Sequence, residues 1–197
     1  MATYVLVHGL WHGGWCWKKV RSHLQEAGHE VFTPTLTGCG ERSHLRSFEI
    51  DMNTHVRDIV QVLEFEELHQ VILCGHSYSV LVILAVAEAV PERLAHLVAL
   101  DGPVPANGQS CKDIFSETVA QLEDLAKIQG DDHWVSAPPE WTFGITEKAE
   151  LGWVKSKLTA IPLKVFETPI IYSNPLAAAL PRTYLQCMEN PSNEEVN

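Results

Sequence analysis

The sequence contains 197 residues, of which 46% are hydrophobic and 20% are charged, a composition that excludes disorder as the main state. Acidic residues outnumber basic residues by 25 to 14, and the net charge of −11 argues against nucleic acid and anionic membranes as partners. The longest apolar run, at 78–87, is much shorter than the roughly 20 residues that cross a bilayer.

The N-terminus and the cysteines predict a cytoplasmic location. Residues 1–7 lack the basic start, the long apolar middle and the cleavage site of a signal peptide. The five cysteines are scattered and include no Cys-x-x-Cys pair, so we expect reduced thiols and neither a disulfide framework nor a structural zinc site.

The first hundred residues alternate between predicted strands and helices. Continuous apolar runs predict strands at 3–7, 30–33, 70–74 and 95–100. Apolar residues at helical spacing predict helices at 17–27, at 78–90 and in a segment capped by Asn53 or Thr54. The long polar segment at 35–50 is predicted to be a functional loop. Buried strands that alternate with helices are typical of an α/β fold with a doubly wound, mostly parallel sheet.

The alternation stops between residues 103 and 180. Helical stretches are predicted at 116–128 and 146–158, and no convincing strand is expected anywhere in 103–180. We interpret 103–180 as a helical cap insertion in the same domain as a core of residues 1–102 and 181–197. Strand character returns at 182–187.

A short motif between a predicted strand and a predicted helix carries the strongest chemical signal. Residues 75–79 read GHSYS, which is similar to the G-x-S-x-G nucleophile elbow, where a strained turn exposes the serine hydroxyl. The close crossing of strand and helix requires small residues on both sides of Ser77; Gly75 meets this requirement, and Ser79 meets it less well. A turn that merely connects two elements is the alternative interpretation, and the strand–turn–helix context favours the elbow.

An acyl-transfer serine also needs two N–H donors for the developing oxyanion. In an elbow, one donor is the residue after the nucleophile, here Tyr78, and the other belongs to the loop after the first strand. That loop contains Gly9 and Leu10, and we expect the Leu10 amide to be the second donor. The glycines of this loop would also permit a tight turn, and the two roles are compatible.

Three segments together resemble the α/β-hydrolase superfamily, in particular the bacterial esterase-like branch related to plant methyl esterases and hydroxynitrile lyases. They are VLVHGLWHGGWCW at 5–17, PTLTGCGERSH at 34–44, and the turn around Ser77. The resemblance implies a helical cap over a Ser-His-acid site that acts on small uncharged esters, with no metal and no organic cofactor. Substrate-binding positions are expected at Gly9, Trp11, His12 and His76.

The sequence departs from this superfamily near its C-terminal end. The superfamily order is serine, then acid, then histidine, but no histidine follows His133 and no further strand follows 182–187. We therefore expect the last strand and helix of the core to be missing, and turnover to be severely reduced because the general base is absent. Substitution by His8, His12, His76 or His133 is not favoured.

The acid has two candidates, and the function has two alternatives. Glu189 lies just beyond the last predicted strand, and Asp101 ends the fourth; the sequence does not choose between these carboxylates. The alternatives to ester hydrolysis are non-catalytic binding of a small apolar ligand and hydroxynitrile-lyase-like chemistry. The strand at 182–187 would be an exposed sheet edge, which predicts either a homodimer through that edge or marginal stability.

Overall fold

A parallel sheet lies at the centre of the computed structural model, which describes residues 1–188. The strands are β1 (Thr3–Val7), β2 (Glu30–Phe32), β3 (Val71–His76), β4 (Leu94–Leu100), β5 (Trp134–Val135), β6 (Ile161–Pro162) and β7 (Arg182–Leu185). Five of them form one sheet in the order β2-β1-β3-β4-β7, and every pair in it is parallel. The predicted α/β fold class is confirmed.

Helices flank this sheet. They are α1 (Lys18–Glu26), α2 (Met52–Phe65), α3 (Ser79–Ala89), α4 (Cys111–Ile114), α5 (Ser116–Ile128), α6 (Lys148–Lys155) and α7 (Pro175–Ala179). Short 3₁₀ turns lie at Gly14–Trp17, Gly40–Leu45, Pro91–Arg93 and Leu163–Phe166. Helix α3 is apolar on nearly all sides because it packs against β3, β4 and α2, and this packing fixes the turn that precedes it.

The start of α2 differs from the sequence expectation. The cap is Asp51, not Asn53 or Thr54, because the Asp51 carboxylate accepts a hydrogen bond from the Thr54 amide at 2.8 Å. The Thr54 hydroxyl in turn accepts one from the Asp51 amide at 3.4 Å. This reciprocal pair is a capping box, which begins the helix before Asn53.

Residues 103–180 contain helices α4 to α7 and a small antiparallel pair, β5 with β6. The expectation that no strand occurs here was wrong, because strands of two residues are too short to produce a hydrophobic alternation. The Trp11 indole N–H donates to the Val135 carbonyl at 3.0 Å, and the Thr159 amide donates to the Trp11 carbonyl at 3.0 Å. These bonds fasten the segment to the loop after β1, where the candidate site lies.

The described part of the chain ends just after β7, which pairs with β4 on one side. All four residues of β7 are exposed. Glu189, one of the two expected acids, lies outside the described residues. Across residues 1–188, no helix is both long enough and apolar enough to span a membrane.

Candidate active site

A sharp bend places Ser77 between the end of β3 and the start of α3. Ser77 has φ of 53°, in the left-handed region that non-glycine residues rarely occupy. Its amide donates to the Leu100 carbonyl at 2.9 Å, and its carbonyl accepts from the Val80 amide at 3.0 Å, so the surrounding structure holds the strained conformation. The Ser77 side chain is half-buried at the carboxyl edge of the sheet.

Backbones approach this bend closely from two sides. A Cβ on Gly75 would lie 2.4 Å from the Ser79 carbonyl oxygen, so the predicted need for a small residue there has a direct steric cause. A Cβ on Gly102 would lie 2.2 Å from the Ser77 carbonyl oxygen. Sequence reasoning missed Gly102, although its place directly after β4, at the same sheet edge, was a usable signal.

Ser79 takes the position where glycine is usual in an elbow. Its side chain is fully buried, and its hydroxyl donates a hydrogen bond to the His8 carbonyl. The polar group therefore has a partner in the interior, and the bond ties the start of α3 to the loop after β1.

That loop passes directly beside Ser77. A Cβ on Gly9 would lie 3.3 Å from the Ser77 Cβ and 3.0 Å from His76 Nδ1, so only a glycine leaves the approach open. His8 fixes the loop because its Nδ1–H donates to the Gly9 carbonyl at 2.8 Å and its Nε2 accepts from the Leu36 amide at 3.0 Å. Burial lowers the pKa of His8 to about 3, so the ring is neutral and both of its nitrogens are occupied.

Trp11 and His12 complete the loop. Trp11 has φ of 63° and a side chain only 2% exposed, and its ring packs against Trp141 and Phe143. His12 Nδ1–H donates to the Leu10 carbonyl at 2.7 Å, and its ring stacks on Trp15. Burial lowers the pKa of His12, which keeps its ring neutral at neutral pH.

Asp101 lies at the same sheet edge, directly after β4. It has φ of 46°, its amide donates to the Leu185 carbonyl at 2.8 Å, and its Oδ1 accepts from the Cys187 amide at 3.2 Å. Burial and the neighbouring His12 ring lower the pKa of His76, whereas Asp101 raises it.

Comparison with known proteins identifies the family. The Alpha/beta hydrolase family matches residues 4–193. The chain belongs to the alpha/beta hydrolase family. A carbendazim hydrolyzing esterase from Nocardioides sp. (strain SG-4G) is 35% identical over 94% of this chain and 79% of its own length. Putative methylesterase 11, chloroplastic, from Arabidopsis thaliana is 33% identical over 64% of this chain, which is 33% of its own length.

Two solved structures superpose on most of the chain. An extracellular alpha/beta-hydrolase from a Paenibacillus species has a TM-score of 0.82 at 24% identity, covering 98% of this chain and 80% of that chain. Tomato Methylketone Synthase I complexed with 2-tridecanone has a TM-score of 0.79 at 18% identity, covering 99% of this chain and 82% of that chain. At these identities the likeness establishes the fold.

Three histidines of this alpha/beta hydrolase, His8, His12 and His133, make their contacts away from the Ser77 hydroxyl. His133 is exposed, and its ring lies 4.5 Å from the Phe48 ring. His8 and His12 hold the loop after β1, as described above. Within residues 1–188, no histidine ring makes a hydrogen bond to the Ser77 hydroxyl.

One buried histidine beside the bend was not singled out from the sequence. His55, in α2, is 2% exposed, and its Nδ1 lies 3.0 Å from the Tyr78 hydroxyl. The available signal was its position, because His55, Ile59 and Leu63 follow each other at i, i+4 spacing on the buried face of the helix.

Proposed function

We propose that this chain is a carboxylic-ester hydrolase in which Ser77 Oγ attacks the carbonyl carbon of a small uncharged ester. The observation that carries the proposal is the left-handed bend at Ser77, at the carboxyl edge of a parallel sheet. The 35% identity to an esterase over nearly the whole chain supports the same chemistry. A partly accessible serine on a rigid turn is the geometry that acyl transfer requires.

Two backbone amides beside Ser77 are proposed to stabilise the oxyanion. The Tyr78 amide follows the nucleophile at the start of α3, and the Leu10 amide follows Gly9 in the loop that crosses Ser77. Donors held rigidly by the backbone need no reorganisation when charge develops on the carbonyl oxygen, and each such donor contributes on the order of 10²–10³ in rate.

Attack by Ser77 requires a base that accepts the proton of its hydroxyl. Asp101 or Glu189 would be the acid of a Ser-His-acid arrangement, but the last histidine of the printed sequence is His133. Because His133 lies against Phe48 on the exposed surface, we propose that this chain acylates slowly. Turnover is then severely reduced, since general-base catalysis supplies about 10²–10⁴ in rate.

The proposed substrate site is lined by aromatic and small residues. Gly9 and His76 border Ser77, and Trp11 and His12 lie on the following turn of the same loop. From residues 103–180, Phe143 contacts both Trp11 and His12. Such walls favour an apolar acyl or alcohol group.

Added imidazole tests the proposal, because it can replace a missing base. Hydrolysis of a p-nitrophenyl ester is measured with and without imidazole for the unmodified chain, Ser77→Ala and Ser22→Ala. Ser22 is an exposed serine in α1 and serves as the matched control. After the rate of Ser77→Ala in the same buffer is subtracted, imidazole is expected to raise the rates of the unmodified chain and of Ser22→Ala by about tenfold.

Two results would contradict the proposal. Equal rates for the unmodified chain and Ser77→Ala in imidazole would overturn the esterase assignment in favour of a non-catalytic binder. Rapid hydrolysis without imidazole that disappears in Ser77→Ala would keep the nucleophile and overturn the predicted impairment.

A further inference from the structure

A chain of buried hydrogen bonds leads from α2 to the residue that follows Ser77. The Tyr78 side chain is 3% exposed, and its hydroxyl lies 3.0 Å from His55 Nδ1. On the other side of the ring, His55 Nε2 lies 3.1 Å from the Thr37 carbonyl oxygen. The Tyr78 backbone amide is a proposed oxyanion donor, but no role has been assigned above to the Tyr78 side chain, to His55 or to Thr37.

The partners of His55 determine which of its nitrogens carries the proton. A carbonyl oxygen can only accept, so Nε2 must donate to Thr37. Burial lowers the pKa of His55, which keeps the ring neutral and leaves Nδ1 as an acceptor. The Tyr78 hydroxyl therefore donates to Nδ1, and burial raises the pKa of Tyr78, so that it remains a phenol.

Thr37, at the other end of this series of hydrogen bonds, is also held in place. Asp58, one helical turn beyond His55, accepts from the Thr37 amide at 2.6 Å and from the Thr37 hydroxyl at 2.7 Å. The Arg42 guanidinium adds a contact to Asp58 at 3.3 Å and donates to the Thr35 carbonyl at 2.8 Å. Because Thr37 is fixed at three atoms, the His55 ring has a single orientation in which both nitrogens are satisfied.

We propose that His55 is a positioning residue: by accepting the Tyr78 hydroxyl bond it fixes the orientation of the Tyr78 backbone amide beside Ser77. The inference rests on the proposed function, in which that amide donates to the oxyanion. Tyr78 is the residue at which the chain passes from the left-handed Ser77 to α3, with φ of −45° and ψ of −38°. Anchoring its side chain therefore restricts rotation of the peptide unit whose N–H faces the reacting carbonyl.

The test compares two tyrosine-to-phenylalanine variants by the rate at which a fluorophosphonate modifies Ser77. Tyr78→Phe removes the bond to His55 and retains the ring and the backbone amide. Tyr172→Phe is the matched control, because the Tyr172 hydroxyl is buried without a hydrogen-bond partner among the described residues. Saturation kinetics separate the inactivation rate constant from the concentration at half-saturation.

Tyr78→Phe is expected to lower the inactivation rate constant about tenfold and to change the fluorophosphonate concentration at half-saturation little. Tyr172→Phe is expected to leave both quantities unchanged. His55→Asn is expected to give the same loss, and the double variant Tyr78→Phe/His55→Asn to lose no more than either single variant. A role in folding alone would lower the melting temperature and leave the rate constant of the folded protein unchanged.

The possible failures are distinguishable. If the unmodified chain is labelled at Ser77 and Tyr78→Phe is labelled equally fast, the positioning role is overturned and the proposed function stands. If the unmodified chain is not labelled at all, the proposed function fails, and this inference fails with it. The ¹⁵N chemical shifts of the His55 ring give a second measurement: a protonated Nδ1 in the folded, neutral protein would contradict the hydrogen-bond assignment.

Discussion

At the scale of single residues, the Ser77 bend depends on positions where two backbones cross without room for a side chain. At Gly75 the space is closed by the Ser79 carbonyl, which is backbone and cannot rotate away as a flexible side chain can. Gly152 is a solvent-exposed residue within α6, and a Cβ there would meet no atom within 4 Å. Substituting each of the two glycines by alanine therefore measures how much a side chain at the crossing of β3 and α3 destabilises the fold.

Gly75→Ala is expected to lower the free energy of unfolding by about 3 kcal/mol, the upper end of typical overpacking costs, because β3 and α3 must move apart. Gly152→Ala is expected to raise it by about 0.5–1 kcal/mol, since alanine is the better helix former. Urea unfolding of both variants measures the difference. Equal stability of Gly75→Ala and the unmodified chain would show that strand and helix do not cross as closely as described.

Residues of the site differed in how well the sequence predicted them. The position of Ser77 and the small residue at Gly75 could be predicted because the motif is local and its steric logic is carried by five consecutive residues. For His55 and Gly102 the sequence gives only a position, on the buried face of α2 and directly after β4. Their contact with the bend comes from packing of segments 22 and 25 positions away in the chain. Such pairings depend on tertiary structure, which periodicity does not encode.

At the scale of elements, long amphipathic helices were predicted better than short strands. Helix α5 covers Ser116–Ile128, as expected from its apolar spacing. Helix α6 covers only Lys148–Lys155 instead of 146–158, because the Glu147 carboxylate accepts from the Glu150 amide at 2.6 Å and caps the helix. Strand β7 ends at Leu185 and not at 187.

Among residues 1–188, strand β7 pairs with β4 and with no strand on its other side. The Leu97 and Asp101 amides of the β4 side donate to the Pro181 and Leu185 carbonyls. Because backbone groups of a parallel strand alternate in direction, the amide of Tyr184 points to the open side. An exposed row of such groups is a template for pairing with another strand, which is the physical basis for the predicted homodimer.

We expect the chain to dimerise through this edge, and Tyr184→Pro to produce a monomer by removing the outward amide. Tyr184→Ala is the matched control, since it loses the same side chain and retains the amide, and it is expected to remain dimeric. Light scattering coupled to gel filtration measures the mass of each. A monomeric unmodified chain with a melting temperature of about 45–65 °C, ordinary for a mesophilic domain, would contradict the predicted pairing.

At the scale of the whole molecule, the sequence predicted the architecture and left the catalytic machinery partly open. The alternation of strands and helices predicts the parallel sheet, and the loop after β1 meets the Ser77 bend because both lie at the carboxyl ends of adjacent strands. Of the two expected acids, Asp101 directly follows β4, and Glu189 lies outside the described residues. An acid, a base and a serine meet only through the fold, so their partnership cannot be predicted from spacing along the chain.

Ester hydrolysis by this chain requires Ser77 to be the reactive nucleophile. The direct measurement is mass spectrometry after treatment with a fluorophosphonate, in which tryptic cleavage at Arg57 and Arg93 releases residues 58–93 as one peptide. Fragmentation of this peptide separates Ser77 from Ser79. We predict a single adduct on Ser77 that is absent from Ser77→Ala. An unmodified Ser77, or an adduct on another residue that persists in Ser77→Ala, would show that Ser77 is not the nucleophile.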